Sequence, residues 1–139
     1  MTGLVVLLAS LVVAGLVAVG LRIKNGRFSA PTEDRERLTA EQIGVPLGER
    51  ATLVQFSSAF CTPCRATRLV LKDVAASVEG VQVVEIDAEE HLSLVRELDI
   101  MRTPTVLVLD ADGVVTTRAS GQPRREQVFV ALGKAVSTA

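Results

Sequence analysis

Phe56-Ser57-Ser58-Ala59-Phe60-Cys61-Thr62-Pro63-Cys64-Arg65 contains both cysteines of this 139-residue chain, three positions apart. Two thiols at that spacing can close a disulfide and reopen it. On the N-terminal side, Ala51 to Phe56 is a short apolar run suited to a buried strand. On the C-terminal side, Cys64, Thr67, Leu71, Val74, Ala75 and Val78 recur at helical spacing, with Arg65, Arg68, Lys72 and Asp73 on the other face. The pair therefore opens an amphipathic helix. Pro63 suits its first turn, where a missing N–H costs nothing, and Gly80 closes it.

Beyond this unit the order stays readable. Val81 to Asp87 is a second strand, and strand, helix, strand with this crossover length predicts a parallel pair. Leu92, Val95 and Leu98 mark a further helix, opened by Glu89 and Glu90, whose charge suits the helix dipole. Thr105 to Leu109 and Val114 to Thr117 flank Asp110-Ala111-Asp112-Gly113, a hairpin signal because Gly supplies positive φ. A last helix is expected from about Arg124 to Val136, with Val128, Leu132 and Ala135 on one side. The sum is an α/β domain whose mixed central sheet is covered by helices.

Composition excludes several classes. With 48% apolar residues, the chain can build a core without disulfide staples, so one Cys pair is not a structural framework. The net charge of −1 offers no basic field for nucleic acid. No 20- to 50-residue period or low-complexity tract occurs.

From Gly3 to Leu21 there is no charged residue, and only Ser10 interrupts Val, Leu, Ala and Gly. As a helix this run is about 28 Å long, close to bilayer thickness. We expect residues 1–21 to be a retained transmembrane anchor. A cleaved signal would place a basic residue before a shorter apolar run, although Ala18-Val19-Gly20 resembles a cleavage site. Arg22, Lys24 and Arg27 follow the span, so the positive-inside rule puts the remainder on the cytoplasmic side, with the opposite face as the alternative. Ser10, Ala14 and Ala18 form a small-residue row that suits close helix approach, a pattern also common in membrane helices generally. Residues 22–49 read as linker and domain edge: Asn25-Gly26, Pro31, the charged stretch Glu33 to Arg37, and a short element near Leu38 to Ile43. Residues 50–139 form the folded domain.

Phe60-Cys61-Thr62-Pro63-Cys64 after a buried strand, then Arg102-Thr103-Pro104-Thr105 roughly 40 residues on, then a hairpin with Gly121 beyond it, resembles the thioredoxin family. The resemblance covers about Ala51 to Val136 and implies a thioredoxin fold. It also implies that Cys61 and Cys64 form a redox-active disulfide, that Pro104 is cis and faces it, and that Thr103 offers backbone groups to a substrate strand. Phe60, Thr62, Pro63, Thr103, Pro104 and Gly121 would form the substrate rim. Neither a cofactor nor a resident metal is expected.

The chemistry fits the residue types. Cys61 precedes the first helical turn, where unpaired N–H groups stabilise the attacking thiolate. Cys64, one turn on, is placed to resolve the mixed disulfide.

Two departures stand out. Thioredoxins commonly carry a buried Asp entering the motif, paired with a Lys on the neighbouring strand, and the matching positions hold Gln55 and Glu85. We expect Glu85 to serve as the base for Cys64, with Gln55 as its hydrogen-bond partner and burial raising its pKa; the alternative is a solvated strand-end carboxylate. Phe60 stands where Trp is usual and loses an indole donor. Arg102 is either a source of positive potential near the thiolate or a solvated loop residue, and His91 reads as exposed.

These observations favour a membrane-tethered thiol–disulfide oxidoreductase acting on protein disulfides, running as a reductase. Its electron donor would be a thioredoxin reductase or a membrane thiol carrier. The alternative is a thiolate metal-binding or metallochaperone module, which needs ligands from a partner chain. A docking scaffold with incidental thiols fits the intact motif less well.

Overall fold

The computed structural model describes residues 1–30 and 36–138. The segment Pro31 to Arg35, which holds most of the charged stretch, lies outside the described residues. The elements are α1 (Thr2–Lys24), β1 (Phe28–Ser29), α2 (Ala40–Ile43), β2 (Ala51–Ser57), α3 (Thr62–Ala76), β3 (Val81–Asp87), α4 (Leu92–Glu97), β4 (Thr105–Asp110), β5 (Val115–Ser120) and α5 (Arg125–Thr138).

One five-stranded sheet runs in the order β1-β5-β4-β2-β3. β2 and β3 are parallel, while β2–β4, β4–β5 and β5–β1 are antiparallel. The expected mixed sheet is therefore present. Every residue of β2 and of β4 is buried, as strands packed on both faces must be.

Strand alternation sends successive side chains to opposite faces. Ala51 and Leu53 of β2, with Val106 and Val108 of β4, pack against Leu71 and Val74 of α3 and Val128 and Leu132 of α5. On the other face Val54, Phe56, Leu107 and Leu109 pack with Leu94, Leu98 and Ile100. Truncating a fully buried leucine such as Leu71 to Ala would cost about 2–5 kcal/mol, because the cavity cannot fully collapse.

Several boundaries differ from the sequence reading, each for a physical reason. Glu89 and Glu90 lie in the turn before α4, whose N-cap is His91. Leu94, rather than the exposed Leu92, carries the buried face of α4 with Leu98. β5 runs on to Ser120 because it pairs along β4 and also receives β1. α3 ends at Ala76, and Gly80 instead supplies the left-handed turn into β3, at φ 74°. At the hairpin, the Asp110 carboxylate accepts from the Asp112 and Val114 amides, both at 3.0 Å, and Gly113 takes φ 82°.

The region read as linker is partly built into the fold. α1 continues through Lys24, the Gly26 amide donates to the Ser120 carbonyl at 2.8 Å, and Phe28 and Ser29 pair with Ala119 and Arg118. Farther on, Thr39 caps α2 through a reciprocal pair with Gln42. α1 buries none of its residues, is long and apolar enough to cross a membrane, and bonds the Ser10 hydroxyl back to the Val6 carbonyl. An N-terminal signal sequence meets the same description.

Candidate active site

The cysteines sit where β2 hands over to α3. Cys61 is the N-cap of α3, and its sulfur accepts the Cys64 amide at 3.2 Å. Helix N-termini leave amides without intrahelical partners, so the cap sulfur meets donors rather than acceptors. Cys61 and Cys64 are joined in a disulfide, with Cα atoms 5.2 Å apart. Cys64 is 1% exposed, whereas Cys61 is half-buried and open to one side. Attack from outside can therefore reach Cys61 and not Cys64. Phe60, just before the pair, holds φ 58° and is fully exposed.

Thr103–Pro104 is a cis peptide, as the resemblance implies. The Thr103 hydroxyl lies 4.0 Å from the Cys61 sulfur and shares a 2.8 Å hydrogen bond with the Ser58 hydroxyl. The Gly121 amide donates to the Pro104 carbonyl at 2.7 Å, which fixes the Gly121 loop against the cis-proline loop. Pro63, Thr103, Pro104 and Gly121 share one groove. Phe60 lines a second depression, which reaches Cys61, Cys64 and Glu85. Thr62 is exposed in the first turn of α3.

Gln55 and Glu85 are register partners on the parallel strands β2 and β3 and face α3. They do not bond to each other as expected. Gln55 is 1% exposed and donates through Nε2 to the Cys64 carbonyl at 2.8 Å, steadying the turn that holds the inner cysteine. Glu85 accepts from Arg68 at 2.6 Å and from the Ser57 hydroxyl at 2.8 Å.

The expected rise in the Glu85 pKa is also corrected. The Arg68 guanidinium bonded to it holds the carboxyl below its ordinary value. Partial burial pushes the other way but is outweighed by that bond together with the Ser57 bond and the positive charges of Arg68 and Lys72. The cause is topological: β3 is the sheet edge, so the Glu85 side chain stays 30% exposed. The same pair raises Arg68 above its usual value.

Arg102 ties the end of α1 to β5. Its guanidinium donates to the Asn25 side chain and, at 3.1 Å, to the Ser120 carbonyl. His91 is exposed at the start of α4, with Nδ1 3.0 Å from the Asp87 carbonyl. Among the described residues no cluster of three or more His, Cys, Asp or Glu side chains is placed to hold a metal ion.

Sequence reading missed Ser58, Ser57, Arg68 and Asn25. The first two were visible only as the polar pair that ends a strand. Arg68 is four residues after Cys64 and lay on the face assigned to solvent. Asn25 read as a turn residue before Gly26.

A family model described as thioredoxin matches residues 40–133. Thioredoxin from Staphylococcus aureus is 30% identical over 83 residues, which are 59% of this chain and 79% of that protein. Mouse thioredoxin domain-containing protein 2 is 32% identical over 90 residues, 65% of this chain, yet the chain spans only 18% of that longer protein. A crystal structure of chloroplastic thioredoxin z superposes with a TM-score of 0.60 at 24% identity, covering 78% of this chain and 99% of that one. A mutant thioredoxin from Halobacterium salinarum gives 0.55 at 18% identity, covering 63% and 76%. A half-buried cysteine capping a helix, a buried cysteine one turn on and a cis-proline beside them agree with that match. The chain belongs to the thioredoxin family, and its Cys61–Cys64 pair is a thioredoxin-type disulfide oxidoreductase site.

Proposed function

We propose that this protein is a membrane-tethered thiol–disulfide oxidoreductase that reduces disulfides in protein substrates. The observation that carries the reading is the asymmetry of the cysteine pair, with Cys61 open at a helix cap and Cys64 buried behind it. In the reduced protein the Cys61 thiolate attacks a substrate sulfur, forms a mixed disulfide and releases one substrate thiolate, which takes a proton. The Cys64 thiolate then attacks the Cys61 sulfur, which releases the second substrate thiol and leaves the protein disulfide. Two electrons pass to the substrate.

The substrate segment lies along Thr103 as an added strand, with Phe60, Thr62, Pro63, Pro104 and Gly121 around it. Glu85 keeps the part of proton acceptor for Cys64, as a carboxylate that Arg68 holds ionised. α1 is retained as a single-pass anchor in the cell membrane, and the Arg22, Lys24 and Arg27 flank favours a cytoplasmic domain. Reducing equivalents then come from a thioredoxin reductase or a membrane thiol carrier.

An insulin-reduction assay on the full chain tests the reading, with Cys61→Ser as control and metal analysis of the purified protein. Turnover that requires Cys61 is expected. Activity surviving Cys61→Ser, or stoichiometric metal on the thiolates, would overturn it.

A further inference from the structure

The end of α1 is fixed against the rim of the cysteine site. The apolar run stops at Leu21, Arg22 and Lys24 occupy the last helical turn, and Gly26 already bonds to Ser120, the residue before Gly121. Arg102 clamps the Asn25 side chain to the same carbonyl. Gly26 is required there: it holds φ 73°, and a Cβ would run into the Gln122 carbonyl. In consequence Leu21 and Arg22 line one side of a groove whose other side is Pro63, Thr103, Pro104 and Gly121.

No slack separates helix from rim. Leu21 to Lys24 rises about 5 Å and two further residues span about 7 Å at most, so the rim stands within about 12 Å of the hydrocarbon edge. Headgroups occupy roughly 5–8 Å of that interval. Of the exposed apolar side chains outside α1, the two most exposed are Phe60, next to Cys61, and Met101, just before the cis-proline loop, at 106% and 83%.

We propose that the substrate is a disulfide in a membrane-bound partner, carried on a segment at the bilayer surface that enters the groove between α1 and the Thr103–Pro104 rim. The proposal rests on the tethered-oxidoreductase reading above. A disulfide held far above the bilayer on a folded domain would have to push that domain into the headgroups to reach Cys61. One on a juxtamembrane segment meets Cys61 at its own height and at high local concentration.

The test uses the full chain, reduced and reconstituted into vesicles of phosphatidylcholine with some phosphatidylglycerol, as a single-turnover reductant. Its substrates are one disulfide-loop peptide in three forms: lipid-anchored directly at the surface, lipid-anchored through a Gly/Ser spacer of about 20 residues that moves it roughly 25 Å away, and unanchored. At equal surface density the flush form should be reduced at least about tenfold faster than the spaced form, as expected of a change in effective concentration. Gly26→Val, which breaks the docking of the tether, should bring that ratio close to one while reduction of the unanchored peptide persists.

Equal rates for flush and spaced forms, or an undiminished ratio in Gly26→Val that still reduces the unanchored peptide, would overturn the proposal and leave the oxidoreductase standing. Failure to reduce any form, or reduction independent of Cys61, would overturn the oxidoreductase itself. A chain that does not float with the vesicles would remove the tether.

Discussion

Arg68 on α3 donates to the Glu85 carboxylate on the edge strand β3 at 2.6 Å, beside the depression that reaches Cys64. This pair replaces the buried acid expected beneath the inner cysteine. It also fixes the sign of a pH effect. The Glu85 pKa is lower in the folded chain than in the unfolded one, so its stabilisation is present above the ordinary carboxylate value of about 4.3 and is lost as pH falls through the folded value. Glu85→Gln should therefore melt below the wild type at pH 7, with the gap closing toward pH 3 in a thermal melt series. A gap that widens on acidification would contradict the assignment.

The same substitution reads the proton path. A carboxylate kept ionised by Arg68 is a weak base, so Glu85→Gln should slow resolution by Cys64 by about tenfold, below the 100- to 10,000-fold span usual for general bases. Stopped-flow decay of a mixed disulfide at Cys61 measures this. Unchanged rates from pH 5 to 9 would remove Glu85 from the path.

The Thr103 hydroxyl stands 4.0 Å from the Cys61 sulfur and is itself hydrogen-bonded to the Ser58 hydroxyl. Donors near a thiolate favour the charged form. Thr103→Val should slow alkylation of reduced Cys61 at neutral pH by several-fold, about what loss of a 0.5–1.5 kcal/mol hydrogen bond implies. Iodoacetamide kinetics with Cys64→Ser as background provide the measurement.

Thr67 is fully buried on α3 and its hydroxyl has no hydrogen-bond partner among the described residues. An unsatisfied buried hydroxyl costs about 1–3 kcal/mol, and valine keeps the shape without it. Thr67→Val should raise stability by about 1 kcal/mol in urea unfolding. Destabilisation would mean the hydroxyl is satisfied in solution.

Gly113 combines φ 82° with a Cβ position that meets the Leu38 carbonyl, while its own carbonyl accepts the Leu38 amide at 2.9 Å. Gly113→Ala should cost about 1–3 kcal/mol, because both the left-handed backbone and the close approach oppose a side chain. Denaturant midpoints at an unchanged m-value would show it.

Most of the fold was written in local patterns. The apolar run of β2, the helical period after Cys64, Pro63 in the first turn and Asp110 to Gly113 at the hairpin each act within a few residues, so sequence alone determined the strand–helix unit and the redox pair. The resemblance pointed to Gln55 and Glu85, which are register partners on β2 and β3. Their partners depended on neighbours far along the chain. Gln55 reaches Cys64 because β2 is central, whereas Glu85 meets Arg68 and solvent because β3 is the edge, and strand order is a property of the assembled sheet. The tether follows the same rule. Sequence marked an apolar helix, a basic flank and a turn at Asn25-Gly26, but only the tertiary structure brings that turn to Ser120 and Arg102, since hydrogen bonds between residues 77 or more positions apart leave no periodic trace.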